Sequence, residues 1–198
     1  KTCQEGGVDS RYIRKTTEKS GHTIIQVDKD GQNCILLYGG ANQSITREYV
    51  DEVLSHFEKG DILLLQNEIN LLDYIINQAY EKGMMIILNP SPYNEKLDSC
   101  DFKKISMLLL NEVEGAQVTG EKDEKKILVR LKELYPDMQV VLTLGKDGSV
   151  YQYKDQVYRQ GIFSVQAVDT TAAGDTFTGY FISSILEGMP VDEGLKLA

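Results

Sequence analysis

The sequence predicts an α/β fold with a mostly parallel central sheet covered by helices on both faces. Two observations predict this fold class. Short apolar runs alternate with segments of helical period over most of the 198 residues. The runs are continuously apolar, as in ILLL at 62–65, which is typical of parallel strands buried on both faces. With 41% hydrophobic and 26% charged residues, the composition is that of an ordinary globular protein.

The first predicted element is a β-hairpin at 22–40. Two β-rich runs flank the segment DKDGQ, in which Asp30 and Gly31 form a common turn dipeptide. Because this hairpin precedes the strand–helix alternation, it is predicted to be an antiparallel attachment that differs from the rest of the fold.

The segment 46–60 then changes to a helical period, and Gly60 suits a helix end. Its apolar residues at helical spacing are Val50, Val53, Leu54 and Phe57. A buried strand is predicted at 61–66 and a helix at 71–83. One face of that helix carries Leu72, Ile75, Ile76 and Ala79.

The alternation continues to the end of the chain. Strands are predicted at the short apolar runs 84–89, 105–111, 138–145 and 163–168. Helices are predicted from the amphipathic or Gly-terminated segments 112–120, 123–135 and 173–188. A second hairpin is predicted at 150–160, after the turn KDGS.

Ligands in open α/β sheets bind beyond the carboxyl ends of the strands. The strand-to-helix turns are therefore the predicted ligand site of this chain. These turns are 66–70, 89–92, 111–114, 143–148 and 168–175. All of them carry polar residues, although loops need polar residues in any case.

The charge excludes some classes of partner. The chain has 21 basic and 30 acidic residues and a net charge of −9, whereas a nucleic-acid or anionic-membrane binder needs a basic face. The longest apolar runs are far too short to span a bilayer, and no signal peptide is visible. We therefore expect a cytoplasmic protein with neither nucleic acid nor membrane as a partner.

The cysteines argue against a disulfide framework or a zinc site. The three cysteines are widely spaced and form no CxxC pair, and there are only two histidines. Scattered thiols fit a reducing compartment. The chain opens at Lys1 and stops inside a predicted helix at Ala198, so we expect a piece of a longer protein.

The turn AVDTTAAGDTF at 167–177 carries the most specific chemistry. The first N–H groups of a helix that starts near Gly174 have no internal partners, and together with the helix dipole they attract an anion such as phosphate. Asp175 would stand beside that anion and could accept a proton from an attacking hydroxyl. On residue types alone, an Asp that merely stabilises the first helical turn is the favoured interpretation.

The whole string changes that balance, because DTTAAGDTF at 169–177 closely resembles the signature of the ribokinase family, the phosphofructokinase-B-type carbohydrate kinases. Other segments resemble that family in the family's order. They are GQNCILLYGGAN, LLLQNE, ILNPSP, LLLNEVEGAQVTG and VLTLGKDG. The resemblance implies a ribokinase-like three-layer α/β/α fold with a small β-lid. It also implies that part of the fold is missing from this chain.

The resemblance implies a role for each residue of the 169–175 turn. Asp175 matches the catalytic base, which also contacts the sugar hydroxyl. The amides of Ala172, Ala173 and Gly174 match the anion hole for the transferred phosphoryl group. Asp169 and Thr171 match positions that help to bind a monovalent cation, usually K⁺.

The segment NEVE at 111–114 matches the Asn-x-x-Glu motif of the family. The resemblance implies that Asn111 faces the phosphates of ATP and that Glu114 organises Mg²⁺ through water. The alternative is a capping pair at the start of a short helix. Both roles can hold together.

Three further positions are assigned by the resemblance. Thr143 and Gly145 match a turn that contacts the nucleotide, although they could equally be a strand end and a tight turn. Glu68 matches a carboxylate that binds the sugar, since one carboxylate can accept from two hydroxyls. The alternative for Glu68 is a solvated loop residue.

The resemblance covers one domain, 1–198, that is partial at both ends. The family's first segment, with its Gly-Gly/Asn sugar motif, and the segment that closes around adenine are absent from the chain. Residues 22–42 would then be the remnant of the lid hairpin. A homodimer through the lid is a further implication.

The function implied is an ATP-dependent sugar kinase with D-ribose as the favoured substrate, because TTAAGDTF is closer to the ribose-specific members than to fructokinases. Kinases for fructose, a keto-deoxy sugar acid or a nucleoside are alternatives, as is a non-catalytic sugar or nucleotide sensor on the same scaffold. An unrelated dinucleotide-binding domain ranks last, because no GxGxxG follows a predicted strand.

Overall fold

The computed structural model describes residues 2–27, 33–164 and 172–198. Eight strands are present in this part of the chain. They are β1 (His22–Val27), β2 (Asn33–Tyr38), β3 (Ile62–Gln66), β4 (Met85–Asn89), β5 (Met107–Asn111), β6 (Gln139–Thr143), β7 (Ser149–Tyr153) and β8 (Gln156–Gln160). Both predicted hairpins are confirmed as antiparallel pairs, β1 with β2 and β7 with β8.

Seven α-helices are described alongside these strands. They are α1 (Thr2–Glu5), α2 (Arg47–Leu54), α3 (Leu72–Glu81), α4 (Glu112–Thr119), α5 (Glu124–Leu134), α6 (Ala173–Leu186) and α7 (Val191–Leu197). Short 3₁₀ turns lie at 40–43, 95–99, 102–104 and 145–147. No helix of the described ranges combines the length and the apolar character needed to cross a membrane.

The central sheet has six strands in the order β3-β4-β5-β6-β7-β8. The first four run parallel, and β7 and β8 are antiparallel. The predicted, mostly parallel sheet is therefore confirmed. Strands β1 and β2 form a separate two-stranded sheet, as the sequence predicts for the first hairpin.

Successive side chains of the central strands enter two different cores. Leu108 and Leu110 of β5 pack in the core on the side of α2, α3 and α5, whereas Met107 and Leu109 pack in the core that contains Phe181 of α6. Because strand side chains alternate between faces, a strand covered on both sides must be apolar at every position. This alternation explains the continuous apolar runs and gives three layers, α/β/α.

Two predicted boundaries are wrong, and one prediction lies outside the described residues. Helix α2 ends at Leu54 rather than near Gly60, because the next N–H groups, of His56 and Phe57, bond to carbonyls only three residues back. Strand β6 ends at Thr143, and Gly145 begins a 3₁₀ turn at φ +52°. The strand predicted at 163–168 falls mostly outside the described residues.

Candidate active site

An open cleft of ≈ 350 Å³ lies where the parallel strands end and α6 begins. The paired strand ends Gln66 with Asn89 and Asn111 with Thr143 are aligned in register along this edge of the sheet. The polar side chains that line the cleft are Gln66, Glu68, Asn89, Ser91, Asn111, Glu114, Thr143, Asp175 and Thr178. The cleft therefore occupies the edge that the sequence predicts for a ligand.

The start of α6 presents backbone donors to the cleft. Ala172 adopts a left-handed conformation at φ 59°, which is uncommon for a residue with a side chain. Its carbonyl accepts bonds of 2.9 Å from both the N–H and the hydroxyl of Thr176, which closes the first turn. The N–H groups of Ala173, Gly174 and Asp175 belong to that first turn and have no intrahelical acceptors.

Among the described residues, nothing crowds the position of a side chain at Gly174. A Cβ added at Gly174 would meet no atom within 4 Å, and Ala172, Ala173 and Gly174 all line the cleft. Small side chains let an anion approach the amides closely. The geometry is that of an anion site at a helix N-terminus, where the helix dipole adds a positive field.

Asp175 lies in the first turn of α6 and is exposed to the cleft. Its Oδ1 accepts a hydrogen bond of 2.8 Å from Nε2 of Gln66, at the end of β3. The carboxylate thus stands beside the backbone donors of the turn while one oxygen is held from across the cleft.

Asn111 and Glu114 form a complete capping box at the start of α4. The Asn111 side chain accepts from the Glu114 N–H, and the Glu114 carboxylate accepts from the Asn111 N–H, both at 3.0 Å. Glu114 is only 7% exposed, yet it lines the cleft. The capping role weighed from the sequence is therefore confirmed.

The donor set of the cleft fits Mg²⁺ held mainly by water and by phosphate oxygens. Among the described residues there is no group of three or more His, Cys, Asp or Glu side chains that could hold a metal ion. Mg²⁺ retains several waters and commonly uses one or two carboxylates together with substrate phosphates. Glu114 is the carboxylate that would serve, and its Oε1 is not used by the capping box.

Glu68 and Thr143 also line the cleft. Glu68 follows β3 and Thr143 ends β6, so they belong to the first and the last of the four parallel strands. Glu68 is exposed, and its backbone carbonyl accepts a bond of 2.6 Å from the side chain of Gln43. Gln43 in turn accepts from Lys96 at 2.8 Å. Gly145 is exposed in the turn after β6 and does not line the cleft.

The structure brings together eight of the residues predicted for the site. They are Glu68, Asn111, Glu114, Thr143, Ala172, Ala173, Gly174 and Asp175. Asp169 and Thr171, predicted for K⁺, lie outside the described residues.

Sequence reasoning assigned no individual role to four polar residues of the cleft. Gln66, Asn89, Ser91 and Thr178 all line it. Gln66 and Asn89 are the last residues of β3 and β4. Their position at the carboxyl ends of parallel strands placed them in the predicted turns 66–70 and 89–92, but it did not single them out from their neighbours.

Comparison with known proteins finds a family match over the whole chain. The profile described as pfkB family carbohydrate kinase matches residues 1–198. A ribokinase of Staphylococcus aureus is 34% identical over 191 residues, which cover 90% of this chain and 60% of the relative. A deoxyribokinase of Salmonella typhi is 27% identical over 205 residues, covering 100% of this chain and 67% of the relative.

A solved structure has the same fold. The Arabidopsis thaliana ribokinase complexed with ribose and ATP superimposes with a TM-score of 0.76 at 29% identity, covering 96% of this chain and 64% of that one. The chain thus spans about 60% of the length of the Staphylococcus relative and less than two thirds of the Arabidopsis structure.

Proposed function

The chain belongs to the pfkB family of carbohydrate kinases, and from this premise we propose that its protein transfers the terminal phosphoryl group of ATP to a small sugar. The observation that carries the proposal is the arrangement at the start of α6. A carboxylate, Asp175, stands beside a row of backbone donors that lack intrahelical acceptors, in a cleft that also contains the Asn111–Glu114 pair. Phosphoryl transfer needs such a set: a base, donors around the transferred group and a place for the metal.

In the proposed reaction Asp175 accepts the proton of the sugar hydroxyl as its oxygen attacks the terminal phosphorus. The bond from that phosphorus to the bridging oxygen of ATP breaks, and ADP leaves with the electron pair. The amides of Ala172, Ala173 and Gly174 stabilise the negative charge on the transferred group. The proton on Asp175 is then released to solvent, which reaches it because the side chain is exposed.

Asn111 and Glu114 would serve the nucleotide side of the cleft. Asn111 would face the phosphates, and Glu114 would hold Mg²⁺ through water. When bound, Mg²⁺ would neutralise charge on the phosphate oxygens. Thr143 and Gly145 are proposed to contact the nucleotide, and Asp169 and Thr171 to hold K⁺ beside the turn.

Glu68 is proposed to bind the sugar together with Asp175, and D-ribose is the favoured sugar. The names of the ribokinase relatives support ribose, whereas the deoxyribokinase supports a neighbouring substrate. Kinases for fructose, a keto-deoxy sugar acid or a nucleoside remain alternatives. A non-catalytic sensor on the same fold is the alternative of another class, although the presence of Asp175 argues against it.

We also propose that residues 1–198 form one ribokinase-like domain in which 22–42 belong to a β-lid. The separate β1–β2 sheet supports this assignment. Its side chains include exposed apolar residues such as Ile24 and Leu36, 56% exposed each. A homodimer through the lid is part of the same proposal.

The experiment is a substrate panel with the full-length protein, ATP and Mg²⁺, scored by ADP release. D-ribose, 2-deoxy-D-ribose, D-fructose, a keto-deoxy sugar acid and a nucleoside are compared by kcat/KM. Ribose should give the highest value. Preference for another member of the panel would overturn only the choice of sugar. Tight binding of a sugar without ADP release would indicate the sensor instead.

A further inference from the structure

One contact in the cleft has no assigned role in the reaction described above. Nε2 of Gln66 donates to Oδ1 of Asp175 at 2.8 Å, across 109 positions of sequence. We propose that Gln66 is a positioning residue for phosphoryl transfer. It holds one oxygen of the Asp175 carboxylate so that the other oxygen, Oδ2, faces the attacking hydroxyl. This inference rests on the proposed function, because it concerns the same base.

The end of β3 places Gln66 on the cleft side of the sheet edge. Gln66 and Glu68 both line the cleft. Leu65, which precedes Gln66, and Asn67, which lies between the two, are buried, at 5% and 4% exposed. Gln66 is the last residue of β3 and Glu68 belongs to the turn that follows, so the strand end and its turn together present both side chains to the cleft. Gln66 is half-buried, so its amide has a restricted range of positions.

Asn67 fixes the strand end to the loop after β4. Its backbone N–H donates to the carbonyl of Ser91 at 3.1 Å, and its side-chain amide donates to the carbonyl of Pro92 at 2.6 Å. One residue further on, the Glu68 carbonyl accepts from the side chain of Gln43. The backbone that follows Gln66 is thus tied to two separate parts of the fold.

The partner carboxylate is also carried by a fixed element. Asp175 belongs to the closed first turn of α6, where Thr176 bonds twice to the carbonyl of Ala172. A site whose groups stand on rigid elements keeps a productive geometry better than one on free loops. Two fixed elements joined by one hydrogen bond therefore orient the base before the sugar binds.

An amide suits this role because it donates without adding charge. A cation at the same place would form an ion pair with the carboxylate and compete with the substrate proton for it. A hydrogen bond to a charged group is stronger than one between neutral groups. We expect its loss to reduce kcat about tenfold, a typical effect for one positioning contact of this kind.

The test compares Gln66→Met with Gln160→Met in the full-length protein. Both substitutions replace an amide by a thioether of similar length, and both residues are half-buried at strand ends. Within the part of the chain that the structure describes, the Gln160 side chain bonds to the neighbouring carbonyl of Gly161, and Gln160 is not among the residues that line the cleft. Gln66→Met should lower kcat about tenfold with KM for ATP unchanged, whereas Gln160→Met should leave both constants unchanged.

A double-mutant cycle separates positioning from folding. If Gln66 acts through the base, Gln66→Met should have little further effect on kcat once Asp175 is Asn. Gln66→Glu keeps the length but places a second carboxylate against Asp175, so it should lower kcat more than Gln66→Met. Equal losses of kcat from Gln66→Met in both backgrounds would overturn the inference.

An NMR readout examines the pair without turnover. The side-chain amide signal of Gln66, identified by its disappearance in Gln66→Met, should shift in Asp175→Asn and stay in place in Asp192→Asn. Wild-type kcat in Gln66→Met would overturn the inference alone. Lack of sugar-dependent turnover in the unmodified protein would instead overturn the proposed function, and the positioning role with it.

Discussion

Asn111 and Glu114 hold each other at the start of α4, each side chain accepting the other's backbone N–H at 3.0 Å. The pair satisfies two donors at the helix start and turns a nearly buried carboxylate toward the cleft. One structural feature therefore supports both a helix and a proposed metal contact, and substitution can separate the two roles.

Glu114→Gln should raise the Mg²⁺ concentration needed for half-maximal activity about tenfold, with KM for the sugar little changed. Gln also completes a capping box, so the free energy of unfolding should change little, whereas the loss of charge weakens the hold on metal-bound water. The measurement is an Mg²⁺ titration of initial rates. Glu112→Gln is the control, since Glu112 lies in the same first turn of α4 but belongs neither to the capping box nor to the residues that line the cleft. An unchanged Mg²⁺ titration would show that Glu114 only caps the helix and does not contact the metal.

Asp175→Asn should keep ATP binding but lower sugar-dependent kcat by about 10²–10⁴-fold, the range of general-base contributions. The measurement pairs initial rates with ATP affinity by calorimetry. Asp192→Asn is the matched control, since Asp192 also lies in a first helical turn, that of α7, but outside the cleft. Turnover near the wild-type level in Asp175→Asn would show that Asp175 is not the base and only stabilises the first turn of α6.

Activity should rise with K⁺ at constant ionic strength, and Asp169→Ala should remove much of that response while sugar recognition is kept. The proposed reason is that a cation held by Asp169 and Thr171 keeps the anion-binding turn in shape. Initial rates in KCl are compared with rates in a bulky organic chloride for both forms. Equal activation of both forms would refute the role of Asp169.

Gly148→Ala should lower the free energy of unfolding by at least about 1–3 kcal/mol, the usual cost of a strained backbone conformation. Gly148 has φ +92°, and a Cβ there would overlap the carbonyl of Gln160 and lie 2.8 Å from Cα of Gly161. The measurement is denaturant unfolding. Gly179→Ala in α6 is the control, since a Cβ there meets no atom within 4 Å. Similar changes in both variants would contradict the steric explanation.

Cys100 should react slowly with thiol reagents in the folded protein. It is 9% exposed, and burial raises the pKa of its thiol from 9.0 to about 11. The folded state therefore keeps its proton between pH 9 and pH 11 while the unfolded chain loses it, so this group lowers stability as pH rises through that window. Peptide mapping after labelling at pH 8 should find Cys3, which is exposed, modified well before Cys100.

The fold was largely predictable because its central strands are recognisable in the sequence as short, continuously apolar runs. A strand covered on both faces needs apolar residues at each position, so β4, β5 and β6 stand out as short runs that no surface element would contain. Boundaries were less predictable. The spacing of Val50, Val53, Leu54 and Phe57 fits a longer helix, but Phe57 packs against the core from a turn after α2 has ended.

The residues of the cleft also divide into those that the sequence predicted and those that it did not. The residues 172–175 and the pair Asn111 and Glu114 were found because each lies within a short, recognisable string. Gln66 lies in the string LLLQNE, but there the resemblance assigned a role only to Glu68, and the partner of Gln66, Asp175, lies 109 positions away. The sequence gives no signal for a single polar contact between two residues that lie so far apart in the chain.

The sequence by itself determined the kind of layers, the edge of the sheet at which the cleft lies and the family. It could do so because burial and helix starts are local, repeated requirements that each segment must meet. Only the tertiary structure decided that Gln66 reaches Asp175 and that the end of β3 is tied to the loop after β4. Those contacts depend on how β3 and α6 are placed across the cleft, and that placement results from packing summed over the whole sheet.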